Sequence, residues 1–447
     1  MTTEALPAPV GRKSALDRLM SLAADVRPGE SATVLLMLAN IFLILVGYYI
    51  IKTVREPLIL ATGGAELKSY SSAGQALVLM GFIPLYSWFS SRVDRGKLVV
   101  GVTLFFIVNI ELFYLGGLLQ VPYLGVVFFI WVGIFNLAII AQFWSYANDL
   151  YSKEAGDRLF PLIAIGMTAG GPVGPWVAGI LFAIGVGAYS MLHITAALLV
   201  VSLALYSLVN VREARRQGAA AGSLVGGKAG GFSLVLGSRY LRLVGLLMVL
   251  LNLVNTTGEY ILDRYIVVAA DAAVAANPSL SREAFIGSFR GDFFFWVNVS
   301  AVLTQALLVS RIVKYLGLAG VVLAGPVVAL GSYGLIASGV GLALTRWAKT
   351  AENSTDYSVM NTGRAMLWLP TSREEKYKAK QAVDTFFVRT GDVLSALLVY
   401  AGTTWLGLGV RGFAGANLAL VTLWLAVAYL VLREYRALTS ATSTQAA

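Results

Sequence analysis

The sequence predicts an all-helical polytopic membrane protein, with about twelve spanning helices arranged as two related six-helix bundles. Three observations predict it. Of 447 residues, 57% belong to the hydrophobic set and 13% are charged, a balance foreign to a soluble enzyme of this length. Apolar runs long enough to cross a bilayer recur along almost the whole chain. The second half also repeats landmarks of the first.

The elements follow in order. Residues 1–30 read as a cytoplasmic segment carrying a short interfacial helix near 14–25. Ser14 and Asp17 form a capping-box pattern, Leu16, Leu19, Met20 and Ala23 make one apolar stripe, and Pro28-Gly29 ends it. Spans are expected near 31–51, 71–90, 98–118, 123–147, 159–186 and 189–210, which make a first bundle over 31–210. A linker over 211–238 follows, small and flexible in composition. Spans near 240–263, 290–310, 316–338, 342–367, 380–406 and 415–432 make a second bundle over 239–434, and 435–447 is a cytoplasmic tail. Within the linker, Gly222 to Ala229 falls one residue short of a phosphate-binding loop. Ala229 stands where Ser or Thr holds magnesium, and no strand precedes it, so the segment is read as linker.

So little chain lies outside the spans that no cytoplasmic ATPase or globular catalytic module fits, and the protein is read as neither an enzyme nor a nucleic-acid binder. The net charge is +10. It is placed by the positive-inside rule: Arg12, Lys13, Arg18 and Arg27, then Arg92, Arg95 and Lys97, then Lys153 and Arg158 all fall on one side, as do Arg212, Arg215, Arg216 and Lys228, Arg311 and Lys314, and Arg373, Lys376, Lys378 and Lys380. Both termini are therefore expected in the cytoplasm of a bacterium, with the chain in its inner membrane. The first apolar run begins near Ala32, with no cleavable signal pattern before it, and cysteine is absent.

The internal repeat is specific. Leu35-Leu36-Met37 precedes Gly47-Tyr48, and Leu246-Leu247-Met248 precedes Gly258-Glu259, with the same offset of 211 residues for both landmarks. Ser152-Lys153-Glu154 after span four corresponds to Ser372-Arg373-Glu374 after span ten. Duplicated six-span halves with a cavity between them resemble the major-facilitator architecture. Ser91 to Lys97 is similar to the signature loop of that superfamily.

Charge inside the spans points to function. In the stretch 343–380, Arg346, Lys349, Asn353, Asp356, Met360 and Arg364 recur at three- and four-residue spacing, so one helical face collects them. A charge at a bilayer centre costs at least about 2.5–3.5 kcal/mol, so these side chains must line a watery cavity or an ion-paired interior. Lys52 and Arg55 end span one, and Asn252, Asn255, Glu259 and Asp263 occupy the equivalent face of span seven. They read either as an interdomain ion-pair gate, Lys52 or Arg55 against Glu259 or Asp263, or as a solute site, and the two roles are compatible. Span eleven carries Asp384, Arg389 and Asp392, either a titrating site or a packed Arg389–Asp392 pair. Gly166, Gly170, Gly171 and Gly174, with Pro172 and Pro175, predict close helix packing in span five, with a broken gating helix as the alternative. His193, the sole histidine, reads as solvated or packed at the start of span six. Trp131, Trp144, Trp296 and Trp368 suit the headgroup belt, whereas Trp347 adjoins the charged face.

Several motifs in order resemble the bacterial and plastid ATP/ADP translocases over nearly the whole chain. They are Lys52-Thr-Val-Arg55-Glu56-Pro-Leu58 with Gly64-Ala65-Glu66; Phe143-Trp144 to Asn148 with Glu154-Ala155 and Arg158 to Leu162; Asn252-Leu253-Val254 with Glu259; and Tyr357-Ser358, Leu369-Pro370, Lys376 to Lys380 and Ala382-Val383-Asp384. The resemblance implies nucleotide exchange without hydrolysis. It puts Arg55 where the family has a functional lysine and Glu259 where it has a functional glutamate. Asp392 replaces a family lysine, and Val132 or its neighbours replace an acid. The expected cargo is a small organic anion, nucleotide-like, carried by a monomer without cofactor or metal. Lys52, Arg55, Glu259, Arg346, Lys349, Asp356, Arg364 and Arg389 are expected to bind it, with Asp263, Asp384 and Asp392 coupling or gating. The rivals are a proton-coupled symporter or exporter of another solute and a non-transporting receptor, for which no large extramembrane surface is available.

Overall fold

In the computed structural model, residues 14–21, 25–90, 92–93, 95–214, 231–372 and 374–446 are described. The phosphate-loop-like segment of the linker, Arg12, Lys13, Arg215, Arg216, Arg373, and Ser91 and Asp94 of the signature-like loop lie outside these residues. The expected interfacial helix is present as Ala15–Met20. Its capping box closes both ways, with Ser14 N 2.8 Å from Asp17 Oδ2 and Asp17 N 3.1 Å from Ser14 Oγ. Asp17 is buried, and it also accepts hydrogen bonds from Ser31 Oγ at 2.5 Å and Gly29 N at 3.2 Å. The Ser31 hydroxyl first, then the Ser14 amide and hydroxyl, hold the Asp17 carboxyl well below its ordinary range.

The membrane helices are α1 (31–63), α2 (65–90), α3 (Arg95–Leu118), α4 (Leu124–Leu150), α5 (Lys153–Ala183) and α6 (Leu192–Ala214), then, after a short helix Gly231–Gly237, α7 (Arg239–Ala276), α8 (282–316), α9 (318–337), α10 (342–367), α11 (375–404) and α12 (Val410–Ala446). Glycines in the left-handed region make two of the reversals: Gly64 (φ 70°) between α1 and α2, and Gly317 (φ 60°) between α8 and α9. Wide π turns interrupt α8 at Gln305–Val309, α10 at Asp356–Met360 and α11 at Glu375–Ala379 and Val383–Phe387.

Several helices exceed the apolar runs that predicted them. α2 begins at 65 rather than 71, α7 continues to Ala276, and α8 begins at Arg282 rather than 290. The added turns carry Glu66, Lys68 and Arg264, whose charges are paired, Lys68 with Asp263 and Glu66 with Arg264, so hydropathy undervalues them.

Each bundle has its own apolar core, one running from Val26 to Val209 and another centred on Val235 to Leu432. A third cluster joins the bundles: Ile59, Leu60 and Phe129 meet Leu262, Ile266, Ile286 and Phe293. It lies at the ends of α1 and α7 remote from the chain termini, here called the distal face. The opposite, terminal face is tied by Glu30–Arg158 at 3.1 Å and Arg239–Glu434 at 3.2 Å, each within one bundle.

The span-five glycines do what their spacing predicts. A Cβ on Gly170 or Gly174 would press on the backbone carbonyl of Phe42 or Val46, and one on Gly166 on that of Leu38, so α5 lies against the α1 backbone. Gly179 and Gly291 likewise bring α5 and α8 into backbone contact across the bundles.

Candidate functional site

Between the bundles, midway along the helices, lies a polar chamber of about 260 Å³. α1 contributes Lys52, Arg55 and Glu56, α2 Lys68 and Gln75, and α4 Phe129. The second bundle contributes Asn252, Thr256, Glu259 and Asp263 from α7, Phe294 from α8, Asn353 and Tyr357 from α10, and Arg389 and Asp392 from α11. α1 and α7 present these groups on matching faces because the repeat sets them in equivalent positions.

The distal wall of the chamber is an ion-pair network shared by the two bundles. Lys68 Nζ lies 2.5 Å from Glu56 and 2.8 Å from Asp263. Arg290 of α8 is fully buried and contacts Asp263, Glu259 at 3.1 Å and Glu56 at 3.5 Å. Arg55 meets Glu56 at 2.6 Å, with its guanidinium 4.2 Å above the Phe129 ring centre. Nearer the distal surface, Glu66 accepts from Arg264 at 2.5 Å and Tyr260 at 2.9 Å. Among the described residues, every ion pair that joins the bundles lies on this distal side. The chamber is thus sealed distally by charge pairs and the third apolar cluster.

This corrects the expected gate. Lys52 and Arg55 do not pair with Glu259 or Asp263; Lys68 and Arg290 take those acids. Lys68 escaped notice because it falls in what reads as a loop, and Arg290 because it sits where an apolar span was expected to begin. Glu56, adjacent to Arg55, was legible only as part of a family motif.

Lys52 stands apart. Among the described residues it forms no ion pair. Its ammonium sits 4.6 Å from the Phe294 ring centre, 5.3 Å from that of Tyr49, and 3.4 Å from the Tyr357 hydroxyl. Cation–π contacts of this kind contribute about 0.5–2 kcal/mol each and leave the positive charge available to an anion.

The face of α10 divides among three neighbours. Asn353 and Tyr357 line the chamber, and Asn353 donates to Glu259 at 2.8 Å. Lys349 points into the second bundle, fully buried, 2.8 Å from Glu352 and 3.2 Å from Asn255 Oδ1. The Tyr333 hydroxyl completes that cluster 2.8 Å from Glu352. Arg346 turns outward to Asp292 of α8, and Arg364 pairs with Asp356. Arg346, Lys349, Asp356, Arg364 and Asp384 are not among the chamber-lining residues. The three- and four-residue steps keep the row within about 80° of one helix face, so its members part by their depth along α10 and by what stands opposite each, and the π turn at 356–360 rotates only its last part. Trp347 is half-exposed against Trp296, away from the chamber. His193 packs on the Tyr114 ring and lies 3.0 Å from Glu111.

On α11, Asp392 is buried and accepts from Asn252 and Thr256 at 2.8 Å each and from Arg389 at 3.3 Å. Among the described residues, no group of three or more His, Cys, Asp and Glu converges as a metal site.

Two bundles closed on one face around a central polar chamber have known counterparts. The fold is that of the major-facilitator transporters. The chain is similar to the nucleoside transporter NupG, with a TM-score of 0.64 and 12% identity over 90% of this chain and 98% of that one. It is also similar to a bacterial homologue of the iron transporter ferroportin in an inward-facing state, with a TM-score of 0.63 and 16% identity over 90% and 98% of the two chains. A bacterial homologue of the lysosomal transporter Spinster, inward-facing and unoccupied, matches with a TM-score of 0.60 and 14% identity over 91% and 98%. No protein-family model matches the sequence, and no curated protein matches it.

Proposed function

We propose that this chain is a secondary transporter that moves a small organic anion by alternating access, in the bacterial inner membrane with both termini cytoplasmic. The observation that carries this reading is the unpaired ammonium of Lys52 in the wall of the central chamber, beside Arg55 and Arg389. With the distal face sealed, the chamber in this state serves the terminal, cytoplasmic side.

The favoured cargo is a nucleotide-like phosphate ester, taken in exchange. Phosphate oxygens suit the guanidinium forks of Arg55 and Arg389 and the point charge of Lys52, while Phe129, Phe294 and Tyr357 offer ring faces to a base. A nucleotide with three or four charges must draw Arg55 and Arg389 away from Glu56 and Asp392. Drawing Arg55 off Glu56 also changes the charge balance of the distal network that Glu56 shares with Lys68 and Arg290, which couples cargo in the chamber to the closed face.

Proteoliposomes preloaded with ADP test the proposal. Labelled ATP should enter only when ADP is inside, and Lys52→Ala should reduce uptake at least about tenfold, the loss of one charge-assisted contact. No uptake of any nucleotide by protein that remains folded would overturn the cargo. Asp392 supports a second reading, proton-coupled transport of another solute, because a buried carboxylate held by Asn252, Thr256 and Arg389 faces the chamber. Uptake that follows an imposed proton gradient and ignores internal ADP selects it.

A further inference from the structure

We propose that the chamber selects its anion by the hydrogen-bond donors on the organic part, through an acceptor wall formed by the side-chain oxygens of Gln75, Asn252, Thr256 and Asn353. This rests on the reading of the chamber as the site of a small organic anion. It adds what the rest of that molecule must carry: N–H or O–H groups, on a ring amine or on sugar hydroxyls.

The three carboxamides are fixed end for end by their neighbours. Gln75 of α2 donates from Nε2 to the Phe129 carbonyl at 2.6 Å. It fills space that Gly133 of α4 leaves open, since a Cβ there would lie 2.5 Å from that amide. Asn252 of α7 donates from Nδ2 to the Val388 carbonyl at 2.7 Å and to Asp392 at 2.8 Å. Asn353 of α10 donates from Nδ2 to Glu259 at 2.8 Å. Each partner is a carbonyl or carboxylate oxygen, so turning any of the amides over would set oxygen against oxygen. The nitrogen ends are therefore committed within the protein. The oxygen ends remain, and among the described residues none of the three has a hydrogen-bond partner. Thr256 gives its hydroxyl proton to Asp392 at 2.8 Å, which leaves its oxygen as a fourth acceptor. Asn353 is only 5% exposed, and its orphaned Oδ1 is buried, a standing cost that a donor on the cargo relieves.

The acceptors and the free positive charge stand on different walls. Gln75, Asn252 and Thr256 line the chamber from α2 and α7 beside α11, and Tyr70 and Tyr400 join α2 to α11 with ring centres 6.3 Å apart. Lys52 lies where α1 meets Phe294 of α8 and Tyr357 of α10. An anion seated on Lys52 and extended across the chamber presents its other end to the amide oxygens. A carbonyl or bare ring nitrogen there sets lone pair against lone pair. An amine or hydroxyl instead reproduces the hydrogen bonds of the water it displaces.

Isothermal titration of the detergent-purified full chain tests this with two matched sets of anions. One is ADP, its 6-deaminated purine analogue and 2′,3′-dideoxy-ADP; the other is glucose 6-phosphate beside cyclohexylmethyl phosphate. Removing the donors that meet the wall should raise Kd about tenfold, the value of one well-formed hydrogen bond. A loss confined to the deaminated compound assigns the ring amine, and one confined to the dideoxy compound assigns the sugar hydroxyls. Gln75→Met and Asn252→Leu should weaken the donor-bearing members and leave the donor-poor ones unchanged, a selective effect that a merely structural role would not produce. Equal Kd within both sets for the unaltered protein overturns the proposal without any variant having to fold, and leaves the anion reading standing. No binding by any of these compounds overturns both.

Discussion

Glu56 of α1 and Arg290 of α8 come from different bundles, are both fully buried, and face each other at 3.5 Å in the distal wall of the chamber. Lys68 and Asp263 make the reciprocal pair at 2.8 Å. Each bundle thus supplies one acid and one base, and opening the distal face must separate both pairs. Removing one partner of a buried pair costs about 3–5 kcal/mol, because the other charge stays buried. The closed face is therefore the one most exposed to mutation.

Lys68→Ala should shift the protein toward the distally open state. The chain lacks cysteine, so Ser72→Cys in the chamber wall is a unique reporter. A membrane-impermeant thiol reagent added from the distal side should label Ser72→Cys at least about tenfold faster when Lys68 is also Ala, a population shift of about 1.4 kcal/mol. Unchanged labelling would show that the pair does not hold the gate.

Tyr333→Phe should destabilise the second bundle by about 1–3 kcal/mol. The hydroxyl is buried beside Glu352 and leaves that carboxylate with Lys349 alone when removed. A lowered midpoint of thermal unfolding in detergent, with Lys52→Ala melting like the unaltered protein, separates this structural cluster from the chamber.

Gly166→Val should prevent α5 from seating on α1, at a cost of about 1–3 kcal/mol or more, since the added atoms meet the Leu38 carbonyl, which cannot move without the helix. Gly331→Ala is the control, since a Cβ there meets nothing within 4 Å. Thermal unfolding of the two variants should differ clearly.

Asp17 makes stability depend on acid pH. Its carboxyl titrates below the ordinary value of 3.8 when folded, so the ionised form is the stabilising one. Its contribution is complete above that ordinary value and is lost as pH falls through the lower folded value. The difference in thermal midpoint between the unaltered protein and Asp17→Asn should stay constant from about pH 5 upward and shrink below about pH 4.

Much of the architecture was legible because lipid enforces a simple rule: a spanning helix must be apolar for about 20 residues. That rule, the 211-residue repeat, and the Ser14–Asp17 capping box led to the helices, their pairing into bundles and the short helix before α1. The span-five glycines were equally readable, because only a missing Cβ permits that approach to a neighbouring backbone. Lys52, Arg55, Glu259 and Arg389 were legible as chamber residues through charge inside a span and through the matched faces of α1 and α7.

Which charge meets which was decided only in three dimensions. Lys68 and Arg290 belong to the distal network because Gly64 turns α2 back at once and α8 starts early, placing both side chains within reach of Glu56 and Asp263. The α10 row splits among the chamber, the second bundle and Asp292 of α8 because its members stand at different depths beside different neighbours, and because a π turn resets the angle of its last part. One-dimensional spacing records the direction of a side chain about its own helix axis. The ion pairs depend instead on what stands opposite, and that is set by how the two bundles close on each other.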